Sequence, residues 1–215
     1  MFASENGLKG DPRLEAISQA IRVVPHFPKP GIMFQDITTV LLDPKIFKYT
    51  VDIFVDRYRD MNISLVAGIE ARGFFFGPPI ALAIGAKFVP LRKPRKLPGE
   101  VISESYDLEY GSDCLEMHVG DVQPGERALI IDDLVATGGT LCAAIRLLER
   151  VGAEVVECAC VIGLPEVKGK FKMSSKALYV LVEPRLDDCC LRSNPNEKQS
   201  LDVNRRESND LALSV

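Results

Sequence analysis

The stretch Ala128-Leu-Ile-Ile-Asp132-Asp133-Leu-Val-Ala136-Thr137-Gly138-Gly139-Thr140-Leu141 gathers groups that could do chemistry. Four apolar residues lead into two adjacent carboxylates, and a turn of small residues then opens a helix. Backbone N–H groups and the dipole at a helix start favour an anion. Gly138 and Gly139 carry no Cβ, so the backbone can approach a phosphate closely, and Thr137 and Thr140 add hydroxyl donors. The spacing reads as a monophosphate cradle, Ala136 to Thr140, with Asp132 and Asp133 beside it. Carboxylates that close to a phosphate repel it unless they bind something else. Sugar hydroxyls or a divalent cation are the natural partners. No Gly-Lys-Ser/Thr follows the glycines, so this is not a Walker A loop, and it is not a GxGxxG fingerprint. Taken alone, the string also fits a strand ending in two solvated acids before a helix N-cap.

Such a cradle needs elements to hold it. In an open parallel sheet, ligands bind outside the carboxyl ends of the strands. Strands are expected at Ser64–Ile69, Ala86–Leu91, Ala128–Asp132, Glu154–Ile162 and Ala177–Glu183. Helices are expected at Asp11–Val23, Pro44–Asp60, Gly73–Ile84 and Thr140–Val151. The alternation implies an α/β fold, a central parallel sheet with helices on both faces. Pro25–Gly31 is rich in turn formers. Arg92–Tyr110 is charged and proline-punctuated, so it reads as a long loop or extended arm, and Cys114–Val119 as an accessory strand.

The chain has 215 residues, 47% of them hydrophobic, which suits one domain plus a tail and excludes wholesale disorder. The tail, residues 185–215, has no glycine and no aromatic residue, and reads as disordered. Thirty Asp and Glu against 26 Lys and Arg give a net charge of −4. That balance argues against a nucleic-acid binder, yet allows a small anionic substrate held by local charges. The longest uncharged stretch, Gly73–Ala86, is too short for a membrane span. Glu5 and Asp11 stand where a secretory signal would be basic and apolar, so a cytoplasmic location is expected. The six cysteines show no CxxC spacing and read as buried, inert thiols.

With the motifs Phe27-Pro-Lys-Pro-Gly31, Phe34-Gln-Asp-Ile37, Ala67-Gly-Ile-Glu-Ala-Arg-Gly-Phe74, Arg92-Lys-Pro-Arg-Lys-Leu-Pro-Gly99 and Tyr106-Asp-Leu-Glu-Tyr-Gly111, the chain resembles the type I phosphoribosyltransferases. Within them it is most similar to the plant-type, adenine-specific branch, over roughly Asp11 to Val182. The resemblance implies purine salvage: transfer of phosphoribose from phosphoribosyl pyrophosphate to adenine, giving AMP and pyrophosphate. It implies residues 1–184 as the transferase domain, with a small hood (25–40 plus 163–170) and a flexible catalytic loop (92–111). It also implies a homodimer, with no nucleic acid and no membrane as partners. The cofactor would be Mg2+, held through the substrate rather than in a tight protein-only site.

Roles follow residue by residue. Ala136, Thr137, Gly138, Gly139 and Thr140 would seat the 5′-phosphate, and Asp132 and Asp133 the ribose hydroxyls or magnesium. Arg72, Arg92 and Lys96 would meet pyrophosphate. The family's cis peptide carries over as Glu70–Ala71. The run Arg92, Lys93, Arg95, Lys96 also fits a solvated charged loop. Glu109 would manage the proton at purine N7, with Tyr106 and Tyr110 excluding water. Met33, Phe34, Gln35 and Leu164 would surround adenine. Gly163 replaces a glutamate usual in close relatives, which suggests a looser pocket and a side activity on cytokinin bases. A regulator on the same fold, an enzyme for another base and a weakened paralogue remain the competing readings.

Overall fold

The computed structural model describes residue 8 and residues 10–108, 111–164 and 176–184. Glu109, Tyr110, the 165–170 part of the hood and the tail lie outside the described residues.

Helix α1, Pro12–Ala20, starts where the Asp11 carboxylate accepts the Arg13 N–H at 2.8 Å. It is shorter than expected. The β-branched pair Val23 and Val24 lies in strand β1, Arg22–Pro25, antiparallel to β2, Met33–Asp36. A 3-10 turn, Ile37–Leu42, leads to α2, Pro44–Tyr58, which Asp43 caps. Then follow β3, Leu65–Ile69; α3, Gly73–Ile84; and β4, Lys87–Leu91.

The expected loop 92–110 is a loop only in its first half. Val101–Leu108 is strand β5, paired antiparallel with β6, Gly111–His118. Ile102 and Tyr106 on β5, with Leu115 and Met117 on β6, pack into the core, so this arm has an apolar face. The rest is β7, Arg127–Val135; α4, Gly139–Arg150; β8, Glu154–Gly163; and β9, Ala177–Val182.

The main sheet has the order β4-β3-β7-β8-β9 with every pairing parallel. One face packs residues of α1, α2 and α3, such as Ile17, Phe54, Phe76 and Ile80, against Val66, Leu129 and Val161. The other packs α4 and the arm against Leu65, Ala67, Ile130 and Cys158. The expected parallel α/β architecture is therefore present, with a hairpin sharing one face. From β3 the chain passes to β4 on one side and later to β7 on the other, so the switch point lies between β3 and β7.

Candidate active site

The carboxyl ends of β3, β4 and β7 lie side by side, with Glu70 and Arg72 just past β3, Arg92 just past β4 and the two acids in the carboxyl half of β7. Gly73 makes this possible at the start of α3. A Cβ there would stand 2.6 Å from the Ile131 carbonyl oxygen, so only glycine lets the helix start so close to β7. The Glu70–Ala71 peptide is cis, as the resemblance implied.

Strand β7 runs three residues further than expected, so Asp132 and Asp133 lie within it rather than at its end. Both are buried. Asp133 Oδ2 pairs with Arg72 Nε at 2.8 Å, and its N–H donates to Asp132 Oδ1 at 2.9 Å. Burial and the neighbouring Asp133 charge push Asp132 well above the usual carboxylate range. Burial also raises Asp133, with Arg72 pulling the other way.

Beyond β7 the chain turns through Gly138, whose φ of 85° is left-handed, into α4. Asp132, Leu134, Val135, Ala136, Thr137, Gly138, Thr140 and Leu141 line one pocket at this helix start. The expected cradle is thus brought together, except that Gly139 is the first residue of α4 and not part of the lining. Leu164 lies beside it, its N–H donating to the Val135 carbonyl at 2.9 Å.

The hood reaches the same place. Arg72 lies 5.9 Å from the centre of the Phe34 ring, which meets Phe27 edge-on at 5.1 Å. Arg72 therefore links Phe34 on one side to Asp133 on the other. Gln35 is buried, and its Nε2 donates to the Met33 carbonyl at 3.1 Å, which ties down the backbone of β2.

Of the cations expected to meet pyrophosphate, Arg72 pairs with Asp133. Arg92 pairs with Glu70 at 3.0 Å and also donates to the Lys96 carbonyl. Lys96 is exposed. Burial would raise Glu70, but Arg92 and the Lys93 N–H outweigh it and hold the carboxyl below its ordinary value.

Sequence reasoning overlooked Glu70 as the organiser of this loop. It also missed Asp113, which meets Lys93, and the Tyr106 hydroxyl at 3.1 Å. The only signal for Glu70 was its position within the 67–74 motif, and Asp113 lies outside every motif. Among the described residues, no group of three or more His, Cys, Asp or Glu is gathered as a metal site. The two buried acids still suit a hard cation that takes its remaining oxygens from substrate.

The family described as the phosphoribosyl transferase domain matches residues 38–185. Adenine phosphoribosyltransferase 5 of Arabidopsis thaliana is 78% identical over 191 residues, covering 88% of this chain and 100% of the relative. The solved adenine phosphoribosyltransferase of Rhodothermus marinus matches with a TM-score of 0.76 and 44% identity, over 81% of this chain and 99% of the other. That of Saccharomyces cerevisiae, complexed with adenine and an imino-altritol bisphosphate, matches with a TM-score of 0.75 and 35% identity, over 80% and 99%. By sequence, by fold and by the elements that carry its site, the chain belongs to the adenine phosphoribosyltransferases of the phosphoribosyl transferase family.

Proposed function

We propose that the chain transfers phosphoribose from phosphoribosyl pyrophosphate to adenine, forming AMP and pyrophosphate, through the residues gathered at the β3–β7 switch point. The observation that carries this is the pocket at the start of α4, with Asp132 in its wall and the Arg72–Asp133 pair next to it under Phe34. In the reaction, the bond from C1′ to the pyrophosphate oxygen breaks and that oxygen keeps the electron pair. Adenine N9 bonds to C1′ and loses its proton.

Thr137, Thr140 and the backbone from Ala136 to Gly139 hold the 5′-phosphate. Asp132 and Asp133 face the ribose and favour the positive charge that develops on it. A magnesium ion bound with the donor would be held by these carboxylates and would neutralise pyrophosphate charge. Arg72, Arg92 and Lys96 meet pyrophosphate, Arg92 once Glu70 shares it. Met33, Phe34, Gln35 and Leu164 form the base slot. Glu109 relays the proton at N7, a role supported by its motif. Residues 1–184 form the working domain, with 25–40 and 163–170 as its hood and 92–111 as its catalytic loop, and 185–215 are a tail outside it.

Exposed Phe75, Pro78 and Leu82 follow one face of α3 and supply an apolar surface for a homodimer. Analytical ultracentrifugation should find a dimer, and Leu82→Glu should weaken it. The free thiols Cys114, Cys142, Cys158 and Cys160 suit a reducing compartment such as the cytoplasm, which a fluorescent fusion would test.

The decisive assay follows nucleotide formation from phosphoribosyl pyrophosphate, magnesium and each base. Adenine should be turned over, and Glu109→Gln should lower kcat with little change in donor binding. No product with any base would overturn the reading. Gly163 ends β8 beside Leu164 without a side chain, so benzyladenine should also be accepted. Strict rejection of that base would remove the relaxed-pocket claim alone.

A further inference from the structure

The segment between β4 and β5 crosses over β6. Arg92, just past β4, exchanges both backbone hydrogen bonds with Glu116, its N–H donating at 2.9 Å and its carbonyl accepting at 2.7 Å. On the other edge β6 pairs with β5, and the Val119 N–H donates to the Glu100 carbonyl at 3.1 Å. Residues 93–100 therefore join neighbours on opposite edges of one strand, so they pass across one of its faces. Leu115 and Met117 fill the core-facing side, which leaves the face of Glu116 and His118. Each of these two side chains grips the crossing backbone. Glu116 Oε2 accepts the Arg95 N–H at 3.0 Å. His118 Nε2 meets the Pro98 carbonyl at 2.7 Å, and a carbonyl only accepts, so that nitrogen carries the proton.

Lys96 lies between the two grips, exposed, and its carbonyl accepts from Arg92 Nη1 at 3.1 Å. Arg95 has a φ of 63°, a left-handed conformation that a residue with a Cβ adopts at a cost. The Glu116 carboxylate offsets that cost by taking the Arg95 N–H. Without it, Arg95 relaxes to negative φ and redirects the chain at Lys96, one residue on. The reaction above uses Arg92 and Lys96 but gives Glu116 and His118 nothing to do. We propose that Glu116 and His118 are positioning residues, which fix Arg95 and Pro98 and so aim Lys96 and Arg92 at the pyrophosphate group of the donor. This inference rests on the transferase reading given above.

The test combines steady-state kinetics, with magnesium, adenine and phosphoribosyl pyrophosphate, and binding of AMP, which fills the cradle and base slot without pyrophosphate. Glu116→Ala keeps the backbone bonds to Arg92 and removes only the side-chain grip. It should raise KM for phosphoribosyl pyrophosphate about tenfold, with kcat, KM for adenine and AMP affinity within about twofold of wild type. Glu116→Gln keeps an oxygen acceptor for the Arg95 N–H and should raise that KM less than about threefold. His118→Phe should raise it about threefold to tenfold, and His118→Gln, which keeps a donor, less than about twofold. The histidine pair carries the test if Glu116→Ala does not fold. An unchanged or lowered KM for the donor in folded Glu116→Ala and His118→Phe would overturn the inference. So would an equal loss of AMP affinity. Both results leave the transferase reading intact, whereas a wild type that forms no AMP would overturn both.

Discussion

At the scale of single residues, the candidate site holds an unfavourable pair of charges. Asp132 and Asp133 are adjacent, buried and pushed upward in pKa, with one arginine between them and neutrality. An acid whose folded pKa is raised costs stability as pH climbs from its unfolded value toward the folded one. At low pH both states hold the proton and the cost disappears. Asp132→Asn should therefore raise the thermal midpoint of the ligand-free protein near neutral pH, by about 2–4 °C if the relief is about 1 kcal/mol. The gain over wild type should shrink as pH falls toward 4. The same variant should lose most of its turnover. Thermal scans across pH check the first claim, and a variant less stable than wild type at pH 7 would refute it. The acids and the cradle were legible in the sequence because they are contiguous. The pairing of Arg92 with Glu70 was not, because their partnership spans 22 positions and depends on β3 and β4 being neighbours.

At the scale of elements, the arm shows why a loop expectation fails. Its prolines and cations lie in the first half, and they masked the alternation that places Ile102 and Tyr106 on one face. Glu104 shares that spacing, and it faces α4 rather than solvent. Arg146 reaches it at 2.7 Å and Arg150 at 3.0 Å, and the two arginines also donate to the Ser105 and Ser103 carbonyls. Four contacts thus clamp β5 to the helix whose start forms the cradle. The arginines are about half exposed, 51% and 47%, so the clamp is worth about 1 kcal/mol rather than the value of a buried pair. Glu104→Ala should speed amide exchange in β5 about fivefold while moving the global midpoint by less than about 4 °C. An equal loss of protection throughout the sheet would show that the arm is not a separate unit. Helix α4 and the main strands were legible because long apolar periodicity survives local detail. The change from α1 to β1 was not, since both use apolar residues over a short window and only Val23 and Val24 mark it.

At the scale of the whole molecule, the candidate site occupies the carboxyl edge of the sheet, and the buried Glu157 anchor lies away from it. Glu157, near the amino end of β8, is buried and accepts from Arg57 at 2.7 and 2.8 Å and from the Tyr58 hydroxyl at 2.7 Å. The Arg57 guanidinium also stands 4.1 Å from the centre of the Tyr179 ring on β9. This group ties α2 to two strands at the end opposite the cradle. Removing Arg57 leaves a buried carboxylate with one phenol for company, which costs about 3–5 kcal/mol in a fully buried pair. Arg57 is 26% exposed, so water relieves part of that, and Arg57→Ala should cost about 2–3 kcal/mol. At this chain length the midpoint should fall by about 4–12 °C. Because no atom of the group touches the cradle, kcat and KM of the folded fraction at 20 °C should match the wild type. Denaturant unfolding and steady-state kinetics on the same preparation decide the matter. A loss of turnover without a loss of stability would mean that the two ends of the sheet are coupled, and that the division between a supporting edge and a working edge is wrong.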